Sequence, residues 1–165
     1  GPVADVAIHG IDALHFVFGD GIRPRRVFAT TANHYHKFTV EDTATIMVEY
    51  DNGMTCVTDA GWYSRTINSP HGALEIFGTG GYARMLPAEV HSEVNGEWAV
   101  ETPATPRPEH IYFEMYVDQM QNFIDCIVND TEPVCTGRQA ITGIQVMEAA
   151  YRSATTGECV NLMTG

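Results

Sequence analysis

Positive charge is scarce in this chain. Lys37 is its single lysine, and 9 Lys and Arg stand against 21 Asp and Glu in 165 residues, a formal net charge of −12. Arg23, Arg25 and Arg26 form the sole basic cluster, and no basic face emerges. Nucleic acid and anionic membrane surfaces are therefore poor partners on electrostatic grounds. Long apolar runs are missing as well. None approaches the ~20 residues of a membrane span, and the start lacks the basic region that opens a secretory leader. The cysteines Cys56, Cys126, Cys135 and Cys159 are widely spaced without a C-x-x-C, which argues against a zinc knuckle or a disulfide framework. Reduced thiols and a cytoplasmic location are the expectation. Disorder does not fit 44% hydrophobic and 18% charged residues. The length suits a single domain, residues 1–165, with a sizeable core.

What is present is organised around Asp5–Phe18, DVAIHGIDALHFVF. At about 100° per residue, Asp5, His9 and Asp12 fall within an arc of roughly 60° of one helix. Apolar residues cover most of the remainder, so the helix is expected to be buried. Two carboxylates and an imidazole side by side in a core are costly unless they pair, bind or do chemistry. D-x-x-x-H-x-x-D is thus the leading functional signal. The plainer reading stays open: Asp5 favouring the helix N-terminus, His9 a satisfied core histidine, and Asp12 a cap for a neighbouring loop.

Gly19-Asp20-Gly21 stops that helix, and Arg26–Tyr35 reads as a strand. Thr43–Tyr50 is a clearer strand, joined through Asp51-Asn52-Gly53 to an antiparallel partner, Met54–Tyr63. Gly72–Gly78, Tyr82–Leu86 and a hairpin at Glu89–Val100 turning at Asn95-Gly96 follow. Beyond a proline-rich loop, Phe113, Tyr116, Val117, Met120, Ile124, Ile127 and Val128 recur at helical spacing. Thr136 and Gln139 fit a capping box for a last helix, with Ala140, Ile144, Met147 and Tyr151 marking its buried face. Cys159–Leu162 can add one edge strand. Strands segregated from helices imply an α+β fold: a mostly antiparallel open sheet of about six strands with helices on one face.

Gly78-Thr79-Gly80-Gly81-Tyr82-Ala83 fits the dinucleotide pattern G-x-G-x-x-A. That motif needs a helix directly after it to receive the pyrophosphate. Arg84-Met85-Leu86-Pro87 cannot continue as a helix of useful length, so the segment reads as a hairpin turn and no cofactor site is expected in this chain alone.

Gly1-Pro2-Val3-Ala4-Asp5-Val6-Ala7-Ile8-His9-Gly10-Ile11-Asp12, Asp42-Thr43-Ala44, Asn52-Gly53, Gly61-Trp62, Leu74–Gly81, Thr136-Gly137 and Ala149–Ala154 occur in this order and spacing. Together they resemble the C-terminal domain of the Gfo/Idh/MocA oxidoreductases, which include glucose–fructose oxidoreductase and inositol dehydrogenase. The resemblance implies a two-domain enzyme whose N-terminal Rossmann domain, absent from these residues, binds NAD or NADP. It implies a sugar, polyol or similar secondary alcohol as substrate, with Asp5 holding a substrate hydroxyl and His9 as general base. It also implies a homodimer or tetramer formed through the open sheet face. Asp12 is expected to be structural. NAD-assisted glycoside cleavage also occurs in the superfamily.

The proton half of alcohol oxidation suits an imidazole beside a carboxylate that orients it. Trp62 and Arg65 are further candidates for substrate binding. The chain alone is expected to be inactive. The alternative is a noncatalytic dimerisation or metal-binding module. His34 and His36, two apart on the expected strand, would supply its ligands, although no metal is expected.

Overall fold

The computed structural model describes residues 1–62, 74–85, 87–104 and 111–162. The chain divides into two compact units, Gly1–Gly72 with Gly137–Gly165, and Ala73–Thr136.

The first unit opens with a π-helical turn, Val3–Ala7, that runs into helix α1, Ile8–Phe18. Strands β1 (Pro24–Ala32), β2 (Thr43–Tyr50) and β3 (Thr55–Gly61) follow. The unit closes with helix α3 (Gly137–Thr156) and strand β8 (Val160–Asn161). The four strands form an antiparallel sheet in the order β3-β2-β1-β8. Period-2 alternation sets its faces. Val27 pairs with Val48, Ala29 with Ile46, and Ala44 with Ala60, all buried on one side. The β2–β3 turn is tight, with Gly53 at φ +85° and the Tyr50 N–H donating to the Met54 carbonyl.

α3 covers β1 on the buried side. Its buried residues are Gly143, Val146, Ala149, Ala150 and Ser153, not the larger Ala140/Ile144/Met147/Tyr151 face expected from the sequence. Small side chains win because they let the helix approach closely. Gly143 lies against Ile8 of α1. The Ser153 hydroxyl accepts the Ala29 N–H of β1 at 2.9 Å and donates to the Glu158 carbonyl at 2.7 Å. Ile141 and Ile144 are left exposed.

The second unit carries β4 (Glu75–Gly78), β5 (Gly81–Arg84), β6 (Glu89–Val94) and β7 (Glu97–Glu101). They form an antiparallel meander in chain order. The G-x-G-x-x-A segment is the β4–β5 turn, with Gly78 paired to Gly81, as read from its sequence. Gly81 has no room for a Cβ, which would run into the His91 carbonyl of β6. Asn95 and Gly96, both at positive φ, turn β6 into β7. Helix α2 spans Ile111–Asn129, and its apolar side chains from Phe113 to Val128 are exposed. Tyr116 is thus exposed rather than packed. The fold is α+β, with eight strands among the described residues in two antiparallel sheets of four, where about six strands are expected in one.

Candidate active site

The π-turn and α1 bury only one stripe, Val3, Ala7, Ile11 and Leu14. Asp5, His9 and Asp12 are exposed, so the expectation of a helix buried on most sides is corrected. The reason is the spacing of the buried residues, at 4, 4 and 3. A stripe of that spacing faces one layer of neighbours and leaves the opposite side open. Val6, Phe16, Val17 and Phe18 lie on the open part too.

Asp5 is held in place. The Trp62 indole N–H, just beyond the end of β3, donates to its Oδ2 at 2.8 Å. One carboxylate oxygen is thereby anchored and Oδ1 is left to accept another donor. His9, one turn further on, is exposed and takes no hydrogen bond from any described residue. Four residues apart, the two groups stand on the same side of the helical segment. Asp12 takes no hydrogen bond from any described residue either. His15, on another side of α1, approaches the hydroxyl of buried Tyr50 at 3.4 Å. Burial, followed by the nearby Cys56, pushes that phenol's pKa up.

Two adjacent carboxylates, Glu41 and Asp42, fix the surroundings. Both are buried. Glu41 Oε1 accepts the Val3 N–H at 3.2 Å and the Tyr151 hydroxyl at 2.9 Å, tying the start of the π-turn to α3. Burial, reinforced by Glu41, pushes the Tyr151 pKa up to about 12. Gly1 lies against the Glu41 carboxylate, with its backbone amine 3.6 Å from Oε1.

Asp42, 0% exposed, collects the backbone N–H groups of His34, Tyr35 and His36 at 2.8–2.9 Å and the Thr43 hydroxyl at 3.0 Å. Burial alone would raise its pKa, but these donors hold the carboxyl down at about 2. The Asp42 carbonyl also accepts the Trp62 N–H at 3.1 Å.

This carboxylate explains why β1 ends at Ala32 rather than continuing to Tyr35. Three successive N–H groups turn inward to one acceptor and leave the ladder. His34 and His36 accordingly lie in a loop, not on a strand face. Among the described residues no three His, Cys, Asp or Glu side chains gather as a metal site.

Trp62 is part of the site through Asp5. Arg65 lies outside the described residues. Sequence reasoning noted Asp42 only as a strand start and missed Glu41. The available signal was two neighbouring carboxylates directly before an apolar strand, with Lys37 the only nearby cation in sequence.

Residues 1–162 match a family model described as the oxidoreductase family, C-terminal alpha/beta domain. A D-apiose dehydrogenase of Paraburkholderia graminis is 29% identical over 170 residues, covering 97% of this chain and 44% of that protein. A D-apiose dehydrogenase of Rhizobium rhizogenes is 28% identical, covering 97% and 48%. Among solved structures, an oxidoreductase from Agrobacterium radiobacter in complex with NAD+, L-tartaric acid and magnesium superposes with a TM-score of 0.74. It is 25% identical, over 93% of this chain and 47% of that one. An oxidoreductase domain protein from Kribbella flavida reaches 0.80 at 16% identity, over 99% and 50%, a likeness of fold. The chain spans just under half the length of the curated relatives it matches.

Proposed function

This chain belongs to the Gfo/Idh/MocA oxidoreductase family as its C-terminal alpha/beta domain, and on that premise we propose that it is the substrate-binding and catalytic half of an NAD(P)-dependent sugar or polyol dehydrogenase. His9 is the general base, and Asp5 holds a substrate hydroxyl through the oxygen that Trp62 leaves open. The observation that carries this reading is the Trp62–Asp5 hydrogen bond one helical turn from an exposed His9.

Oxidising a secondary alcohol removes a hydroxyl proton and a carbon-bound hydride together. In this reading His9 takes the proton at an imidazole nitrogen, and the Asp5 carboxylate orients the alcohol and favours the imidazolium that forms. NAD or NADP, when bound by the rest of the protein, supplies the hydride acceptor. The described residues of this chain offer it no glycine-rich turn opening a helix, since the G-T-G-G segment is a β-hairpin. The chain alone is accordingly proposed to be inactive.

The substrate is read as a sugar because both curated relatives are D-apiose dehydrogenases. Pairing of subunits through the sheet face is supported by apolar side chains on the second sheet. Phe77, Tyr82, His91 and Val100 are successive cross-strand partners, with Phe77 and Val100 exposed at the ends and Tyr82 and His91 half-buried between them, and Trp98, two residues before Val100, is exposed too.

The test uses the full-length protein with D-apiose, other aldoses and polyols. NAD(P) reduction by the wild type, lost in His9→Ala with sugar binding retained, is the expected result. Full turnover by His9→Ala would refute the assignment.

A further inference from the structure

We propose that residues 34–38 and Trp62 form a second wall of this site, an aromatic platform that receives the C–H face of a sugar ring. Phe38 and His36 on it would set the preference for ring sugars over open-chain alcohols. The proposal rests on the reading of Asp5 and His9 as the alcohol site.

Three observations carry it. The rings are continuous: the His36 and Phe38 rings stack at 4.7 Å and 14°, and Phe38 meets Trp62 edge-on at 6.2 Å. The platform is also joined to the polar site, because the Trp62 indole N–H is the group that holds Asp5.

Finally, the platform is fixed. Asp42 binds the loop through the N–H groups of His34, Tyr35 and His36, and binds Trp62 through its own carbonyl. Asn33 closes the loop by donating to the carbonyls of Phe38 and Val40. One residue thus ties both halves of the aromatic surface together, the loop through its buried carboxylate and Trp62 through its backbone carbonyl. Phe38 is 49% exposed and Trp62 36%, so each leaves part of its ring surface open.

A sugar presents hydroxyls around its rim and C–H groups on its faces. A carboxylate and a base beside an aromatic wall match both, as sites of this kind combine apolar walls with a few placed polar groups. An open-chain alcohol such as glycerol has no ring face to lay on it. Asp42 acts through the loop and Trp62 and is a positioning residue.

The experiment is calorimetric titration of the full-length protein with D-apiose, D-glucose and glycerol, alongside NAD(P) reduction. The proteins compared are wild type, Phe38→Ala, Phe38→Tyr and His9→Ala. Phe38→Ala is expected to weaken binding of the ring sugars that the wild type binds by about tenfold and to change glycerol by less than about twofold. Phe38→Tyr, which keeps a ring, should restore sugar binding, and His9→Ala should lose NAD(P) reduction.

Sugar binding unchanged in Phe38→Ala, or weakened equally for glycerol, overturns the platform even where NAD(P) reduction is seen. Ring-sugar binding that depends on Phe38 without NAD(P) reduction supports the platform and sinks the dehydrogenase reading. If no ring sugar binds the wild type, the platform is overturned.

Discussion

Replacing Trp62 with phenylalanine isolates the hydrogen bond to Asp5, because the ring that meets Phe38 is retained while the indole N–H is removed. The bond is short, 2.8 Å, and its acceptor is charged. A desolvated bond of this type contributes about 1.5–3 kcal/mol. Trp62 is 36% exposed and Asp5 is exposed, so water competes and about 1 kcal/mol is the better figure. That corresponds to roughly a fivefold fall in kcat/KM. On the proposed reading Asp5 contacts the substrate in the ground state as well as in the transition state, so the loss should fall mainly on KM.

Steady-state kinetics of full-length Trp62→Phe measure this, and a double-mutant cycle with Asp5→Ala sharpens it. If the indole acts only through the carboxylate, Asp5→Ala with Trp62→Phe is little worse than Asp5→Ala alone. Wild-type kinetics in Trp62→Phe, or a kcat loss as deep as that of His9→Ala, would refute the reasoning.

Further outcomes follow from the packing. Ser153→Ala leaves the buried Ala29 N–H without its acceptor, at a cost of about 1–3 kcal/mol. Thermal unfolding should move down by roughly 3–8 °C, and an unchanged midpoint would mean another acceptor takes over. Asp42 is depressed below its unfolded value, so its contribution is present above about pH 4 and lost as pH falls toward 2. Amide exchange at His34–His36 should rise over that window in the wild type and already be fast at neutral pH in Asp42→Asn; equal protection in both would contradict this account. Gly81→Ala forces a methyl against the His91 carbonyl, so amide protection across β5 and β6 should fall, and intact protection would show that the strands spread at no cost.

Much of this was legible in the chain because it is local. Asn52-Gly53 and Asn95-Gly96 announce their turns through residues that tolerate positive φ. Ile46 and Val48 alternate as a half-buried strand does, and Gly157 stops α3. The placement of Asp5 and His9 on one side of a helical segment was also visible as helical spacing.

What escaped the sequence depends on partners distant along the chain. The buried face of α3 follows Gly143 and Ser153, whose value lies in close approach and one hydroxyl, and a search for large apolar residues overlooks both. The loop at His34–His36 reads as strand until Asp42 is seen to take its N–H groups. Glu41 binds Val3 and also Tyr151, 110 residues further on, a relation no local pattern carries. The openness of α1 on its Asp5/His9 side was hidden because apolar residues such as Phe16 and Val17 lie on the exposed part too.

The central claim is that His9 accepts the proton of a substrate alcohol, and chemical rescue addresses it most directly. His9 is exposed, so its removal leaves a place that free imidazole can reach. Full-length His9→Ala should bind sugar yet reduce NAD(P) very slowly, and added imidazole should restore turnover in proportion to its concentration. Sugar-bound His9→Ala that imidazole never revives, or that needs no reviving, would contradict the account.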